Sequence, residues 1–69
     1  MDLNELHNFI TDLWAFLKTH SEMPIEDWTG VLTEAGRLYA KYGTRSHAKH
    51  EMIMDAIEIL REEDRKHAR

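Results

Sequence analysis

The string from His47 to Glu51 holds the residues whose types could bind a metal ion. Residues three and four apart share a helix face, so His47 with His50 or Glu51 could supply two ligands. The order is neither the His-Glu-x-x-His of zinc proteases nor its reversed form. A catalytic centre would also need a third ligand from another part of the chain. We therefore predict no metal site, and interpret the string as a polar helix start in which His47 pairs with Glu51.

Four carboxylates follow one another at helical spacing and form an acidic stripe, Glu51, Asp55, Glu58 and Glu62. Paired carboxylates on helices serve as metal ligands in di-metal and pyrophosphohydrolase sites. This stripe lies on a single helix, opposite its apolar face, and carboxylates that point into water cannot enclose a metal ion with a substrate. We expect a solvated face, with an acidic contact surface for a basic groove of a partner as the sharper hypothesis.

Met54 stands beside the acidic stripe and is expected to project between His47, Glu58 and Arg61, away from the apolar ridge of its helix. A methionine is an adaptable contact residue at binding surfaces. An exposed methionine can equally be an unremarkable surface residue. The predicted partner-binding residues are Glu51, Met54, Asp55, Glu58 and Glu62.

A basic group surrounds the turn before the third predicted helix. A glycine-containing turn followed by a helix with basic and polar first residues is typical of a helix-turn-helix recognition helix. Against this interpretation, the preceding helix is long for that motif, no Asn or Gln begins the next one, and the net charge is −4. DNA binding is therefore the alternative function, and nucleic acid is not the expected partner. The candidate residues are Lys41, Arg45, His47, Lys49 and His50.

Composition excludes most other chemistry. The chain has no cysteine, which removes disulfides, thiolate zinc sites and thiol nucleophiles. No serine or threonine has a base at a motif spacing, and no glycine-rich phosphate loop or dinucleotide fingerprint occurs. We predict no catalytic residue, no cofactor and no enzyme. The absence of a basic, apolar leader and of a long apolar run predicts a cytoplasmic protein without a membrane span.

Two breaks, at residues 19–24 and 42–46, divide the 69 residues into three predicted helices of about 2–19, 24–42 and 45–66. Apolar residues recur at helical spacing in each, and no period-two alternation competes. Short connections force neighbouring helices to run antiparallel. The sequence therefore predicts one all-α domain, an up-down-up three-helix bundle.

Five residues are expected to mark the helix ends. Asp2 resembles the first residue of a capping box, and Pro24 suits a first helical turn. Gly43 is a natural C′ residue, and either Thr44 or Ser46 can cap the third helix.

The predicted apolar arcs are broad, and we expect Trp14 and Trp28 to lie in the core. The three arcs contain more apolar surface than a bundle of this size must bury, which indicates a partner protein or a second copy of the chain. Self-association is left open. The arcs comprise Leu3, Leu6, Ile10, Leu13 and Leu17 with Phe9, Trp14 and Phe16 in the first helix, Ile25, Trp28, Leu32, Ala35, Tyr39 and Tyr42 with Val31 and Leu38 in the second, and Ala48, Met52, Ala56 and Ile59 beside Ile53, Ile57 and Leu60 in the third.

The stretch from Trp28 to Gly43, followed by Ala48-Lys49 and an Ile-rich helix, resembles small uncharacterised helical proteins of phage and prophage early regions. The resemblance covers about half of the chain and implies a mobile-element accessory protein in the host cytoplasm. Such proteins act stoichiometrically on a host or defence protein, as anti-CRISPR and other anti-defence inhibitors do. The first hypothesis is accordingly a non-catalytic inhibitor or regulator that blocks a partner with a basic surface. A structural homo-oligomer is a further alternative.

Overall fold

A computed structural model describes residues 2–22 and 25–67 of the chain, with the main chain alone at residue 67. Within these residues the molecule consists of helices, and the predicted all-α three-helix bundle is confirmed. No described helix is long and apolar enough to cross a membrane. The predicted role of Pro24 in a first helical turn lies outside the described residues.

The helices differ at their ends from the predicted ranges. Helix α1 spans Leu3–Ser21, α2 spans Trp28–Leu38 and α3 spans His47–His67. Between α2 and α3 the chain forms a π-helical turn, Tyr39–Gly43. The second helix is therefore shorter than its apolar periodicity suggests, and it changes hydrogen-bonding pattern before it ends.

Side-chain caps explain where the helices begin. The Asp2 carboxylate accepts a hydrogen bond from the Asn4 amide at 2.9 Å, as expected of an N-cap. The Asp27 carboxylate accepts one from the Thr29 amide at 2.9 Å. Asp27 is thus the cap of α2 rather than part of its first turn, which moves the start from residue 24 to residue 28. Of the two predicted caps of α3, Ser46 is the one whose hydroxyl accepts a backbone amide.

Gly43 does not act as the left-handed C′ residue that the sequence suggests. No described residue has a positive φ, and Gly43 is buried within the π-helical turn. A Cβ atom built on Gly43 would lie 2.7 Å from Cδ1 of Tyr39. Glycine is required there because the Tyr39 ring covers its Cα, not because the backbone is left-handed.

Contacts between α1 and the second helical segment show that the two run antiparallel. Near the end of α1, His20 Nε2 lies 3.0 Å from a Glu34 carboxylate oxygen. Nearer the start of α1, Asp12 accepts a hydrogen bond from the Tyr42 hydroxyl. As the residue number falls in α1, the number of its partner rises, so the chain has reversed direction.

Helix α3 reverses direction again and runs beside α1 in the same sense. Lys49 Nζ, at the start of α3, lies 3.4 Å from a Glu5 carboxylate oxygen at the start of α1. Towards the other end, the Ile25 amide donates to the Asp64 carboxylate at 2.7 Å and ties the segment before α2 to the last turns of α3. These contacts give the up-down-up order.

The core occupies a narrower part of each helix than the predicted arcs. Trp14 was expected in the core but is 63% exposed. Trp28, also expected there, is partly buried and packs against the core. A helix in a three-helix bundle has only two neighbours, which cannot cover an arc of about 160°. The buried apolar residues are Phe9, Leu13 and Phe16 in α1, Val31, Ala35, Leu38 and Tyr42 in the second segment, and Ile53, Ala56, Ile57 and Leu60 in α3.

Candidate protein-binding surface

An open apolar groove of about 320 Å³ runs between α2 and α3. Its floor is the buried surface of Ala35, Ile53 and Ile57, which belong to the core. These side chains are buried members of the core cluster, and protein cores are close-packed. The groove therefore extends the hydrophobic core to the surface.

The rim of the groove is made of large apolar side chains that the fold leaves in water. Leu32 is 56% exposed, Tyr39 41% and Met54 49%. Leu32 and Tyr39 are seven residues apart in sequence, which on a helix is a distance of about 10 Å, or two turns. A continuous apolar strip of this kind is typical of a binding groove, whereas scattered apolar residues carry no such meaning.

Gly36 forms part of the groove wall on α2. A Cβ atom built there meets nothing within 4 Å. Glycine costs a helix interior about 1 kcal/mol relative to alanine, and no packing in the fold offsets this cost. The open space over Gly36 lets the backbone of another chain approach α2 closely.

The end of the groove next to the turn is closed by two rings in contact. The rings of Tyr39 and His50 stand edge to face, with centroids 4.9 Å apart. Tyr39 is held from the other side by Gly43, whose bare Cα leaves room for the ring. The π-helical turn thus fixes the position of Tyr39 at the groove while its neighbour Tyr42 points into the core. Single π-helical turns of this type occur frequently at functional sites.

The predicted acidic stripe lies on the exposed surface of α3 beyond the Met54 edge of the groove. All four carboxylates are exposed. Glu51 lies 3.2 Å from His47 and Glu58 lies 3.4 Å from Arg61, so the expected His47–Glu51 pairing is present. Ion pairs this exposed are weak and screened by salt, and the stripe keeps its negative potential towards a partner.

Met54 occupies a different setting from the one expected. The sequence places it among polar side chains, away from the apolar ridge of α3. In the structure it lies on the groove rim beside Ile53 and Ile57, because α2 packs next to that edge of α3. Met54 therefore joins the apolar groove to the acidic stripe.

Four of the five residues of the predicted basic group are in contact with neighbouring side chains. Lys41 pairs with Asp12 at 3.3 Å, and Lys49 pairs with Glu5 while lying over the Phe9 ring. His47 pairs with Glu51 and His50 packs on Tyr39. Within the described part of the chain, Arg45 and His50 are the members of the group without an ion pair. The acidic neighbours Asp12 and Glu5 lower the positive potential that a phosphate backbone would meet at the two lysines.

A polar cluster joins α1 to the π-helical turn. The Tyr42 hydroxyl donates to Asp12, and this hydrogen bond, assisted by Lys41, lowers the pKa of the carboxyl group against a smaller opposing effect of burial. The same hydrogen bond raises the pKa of the Tyr42 phenol. The Tyr42 and Asp12 contacts raise the pKa of Lys41. These pKa shifts favour the ionised Asp12, the charged Lys41 and the neutral Tyr42 that are present at neutral pH. The cluster therefore links α1 to the π-helical turn.

A metal site needs several ligating side chains that converge on one point. Among the described side chains, no group of three His, Asp or Glu residues converges in this way. His47 and His50 stand with ring centroids 6.3 Å apart, each engaged with a different neighbour. The arrangement that the fold does build is an apolar groove with an acidic border.

The chain matches no protein-family model, and no curated protein or solved structure matches it at a significant level.

Proposed function

We propose that this chain is a non-catalytic protein-binding module that takes an amphipathic helix of another protein into the groove between α2 and α3. The observation that carries the proposal is the groove itself, with a core floor and a rim of Leu32, Tyr39 and Met54 left in water. Its length of about two helical turns suits anchors at positions i, i+3 or i+4, and i+7 of a bound helix. Gly36 leaves space for the close approach of that helix.

The charge beside the groove determines which flank of the bound helix should be basic. The acidic stripe borders the groove on the α3 side. Glu51 and Glu58 stand three residues before and four residues after Met54, so they share its side of the helix. A partner helix with Lys or Arg along the corresponding flank gains attraction and a faster encounter rate, both sensitive to salt. The apolar contacts supply most of the affinity, since rim charges contribute little to it.

Binding of this kind inhibits the target by covering its helix. A small module that covers a helix of a larger protein blocks whatever that helix otherwise contacts, at one module per target. The resemblance of the stretch from Trp28 to Gly43 to small phage early-region proteins supports a host or defence protein as the target. We accordingly propose a phage-type inhibitor that works by stoichiometric blockade.

The test uses a designed peptide probe and matched variants. The probe is a fluorescent amphipathic helix with leucine and phenylalanine anchors at i, i+4 and i+7 and lysines on one flank, followed by fluorescence anisotropy. Leu32→Glu, on the groove rim, should abolish binding. Trp14→Glu is the matched control, because it makes the same type of change at an exposed apolar residue on a different face.

The charge contribution is measured separately. Glu51→Lys with Glu58→Lys should weaken binding of the lysine-flanked probe and strengthen binding of an otherwise identical glutamate-flanked probe. Equal loss of binding in Leu32→Glu and Trp14→Glu, or no loss in either, would contradict the groove as the site. The same variants then serve in affinity capture from a host lysate, where the true target is the protein lost with Leu32→Glu and retained with Trp14→Glu.

A further inference from the structure

A second apolar surface lies on the face formed by α1 and α3, away from α2. On α1, Asp12 faces the second helical segment through Tyr42. At about 100° per residue, Ile10 and Trp14 lie on the opposite side of the buried ridge, and therefore towards α3. On α3, His50 and Met54 face α2, so Met52 and Ile59 lie on the side towards α1. Together with Leu3, these four residues form what we term the α1–α3 face.

The size of this face is that of a dimer core. The five side chains of the α1–α3 face expose between 39% and 73% of their surface, on the order of 500 Å² in total. A standard interface takes about 800 Å² from each partner, and roughly two-thirds of a homodimer interface is apolar. The exposed apolar area therefore corresponds to the whole core of such an interface rather than to a minor patch.

Opposite charges border the two edges of the α1–α3 face. Beyond Trp14, the edge of α1 carries His7 and Lys18. Beyond Ile59, the edge of α3 carries Asp55 and Glu62, the side of the acidic stripe away from the groove. Lys66, further along this edge, is paired with Glu63 at 3.2 Å. One border is thus basic or neutral and the other is acidic.

We infer that the occupant of the α1–α3 face is a second copy of this chain, related by a two-fold axis parallel to the helices. That axis places α1 of one copy against α3 of the other, in the same sense. The Lys49–Glu5 contact shows that these two residues lie at the same level along the bundle axis. Lys18 and Glu62 each follow 13 residues later on parallel helices, so they also lie at the same level. Lys18 of each copy therefore faces Glu62 of the other.

The alternative two-fold axis, perpendicular to the helices, would place α1 on α1 and α3 on α3. The acidic stripes of both copies would then face each other, and like charges across an interface are unfavourable. Charge thus selects the parallel dimer. Because the groove between α2 and α3 opens away from the α1–α3 face, the dimer presents two separate grooves, and the stripe divides between the groove partner (Glu51 and Glu58) and the second copy (Asp55 and Glu62).

Sedimentation velocity over a low to high micromolar concentration series tests this inference. The wild-type chain should show a monomer–dimer equilibrium, and Trp14→Glu should sediment as a monomer throughout. Leu32→Glu is the matched control, since the same type of change in the groove should leave the dimer intact. A wild-type chain that stays monomeric, or a Trp14→Glu variant that dimerises as well as the wild type, overturns the inference.

A charge swap tests the orientation. Lys18→Glu and Glu62→Lys should each weaken dimerisation several-fold, and the double variant should restore it. Circular dichroism of each variant shows that the fold is intact. If the double variant dimerises no better than the single ones, the parallel arrangement is wrong. The result is independent of the proposed groove, since Trp14→Glu should still bind the lysine-flanked peptide as a monomer.

Discussion

Replacing the two exposed glycines of α2 by alanine should stabilise the fold by amounts that their positions dictate. A Cβ atom at Gly30 or Gly36 meets nothing within 4 Å, so neither substitution needs repacking. Alanine is favoured over glycine by about 1 kcal/mol in a helix interior. Gly36 is the more interior, since α2 continues into the π-helical turn.

The gain should be smaller at Gly30, the third residue of α2, because the first turn of a helix lacks intrahelical partners for its amides. We expect about 1 kcal/mol for Gly36→Ala and about 0.5 kcal/mol for Gly30→Ala. The two sites lie on different sides of the helix and share no partner, so the effects should add. In a domain of this size, 1 kcal/mol raises the Tm by about 4–8 °C.

Thermal and urea denaturation, followed by circular dichroism, measure these differences. Leucine substitutions at the same two positions then test whether Gly36 contacts the peptide probe. Gly36→Leu fills the groove and should lose the peptide probe, whereas Gly30→Leu should keep it. A Tm that does not rise with Gly36→Ala would show that residue 36 is not in a stable helix. Equal peptide binding by the two leucine variants would show that the wall at Gly36 contacts nothing.

Three further predictions concern stability. Gly43→Ala should lower the free energy of unfolding, measured by urea denaturation, by about 1–3 kcal/mol, because its Cβ would lie 2.7 Å from a ring carbon of Tyr39; a stabilised variant would contradict the packing of the Tyr39 ring on Gly43. Leu60→Ala should cost about 2–5 kcal/mol, whereas Ile59→Ala, next in sequence but 47% exposed, should cost far less by the same assay. Because the folded state lowers the pKa of Asp12 from 3.8, this group stabilises the fold above that pH, and the contribution is lost as the pH falls through the folded pKa. Tyr42→Phe should move the Asp12 pKa, measured by NMR titration of the carboxyl carbon, back towards 3.8, and an unchanged value would refute the hydrogen bond as its cause.

The candidate site could be foreseen from the sequence only in part. The acidic stripe is a property of one helix, and its four carboxylates are exposed as their spacing indicates. The groove needs two helices, so periodicity within one segment could not reveal it. Leu32 and Tyr39 follow the apolar period of their helix, and periodicity alone could not show that they form the rim. The exposure of Met54 beside the stripe was foreseen, but its apolar neighbours depend on where α2 packs.

The same limit explains the basic group. Lys41, Lys49 and His47 cluster in the sequence, which favours a nucleic-acid surface. Their partners include Asp12 and Glu5, which are distant in sequence and become neighbours only when α1 packs against the turn. The sequence therefore could not show that Lys41 and Lys49 have acidic partners in the folded chain.

Helical periodicity, caps and short connections are local properties, so they are sufficient to predict three helices in an up-down-up bundle. Which part of each broad apolar arc is buried depends instead on how the helices pack against one another. Two neighbours cover one sector of a helix, and the remaining sectors, including Trp14 on one face and Leu32 on another, stay in water. The π-helical turn belongs to the same category, since it is held by the packing of Tyr39 on Gly43 and of Tyr42 on Asp12. The surfaces available for binding are those that packing left over.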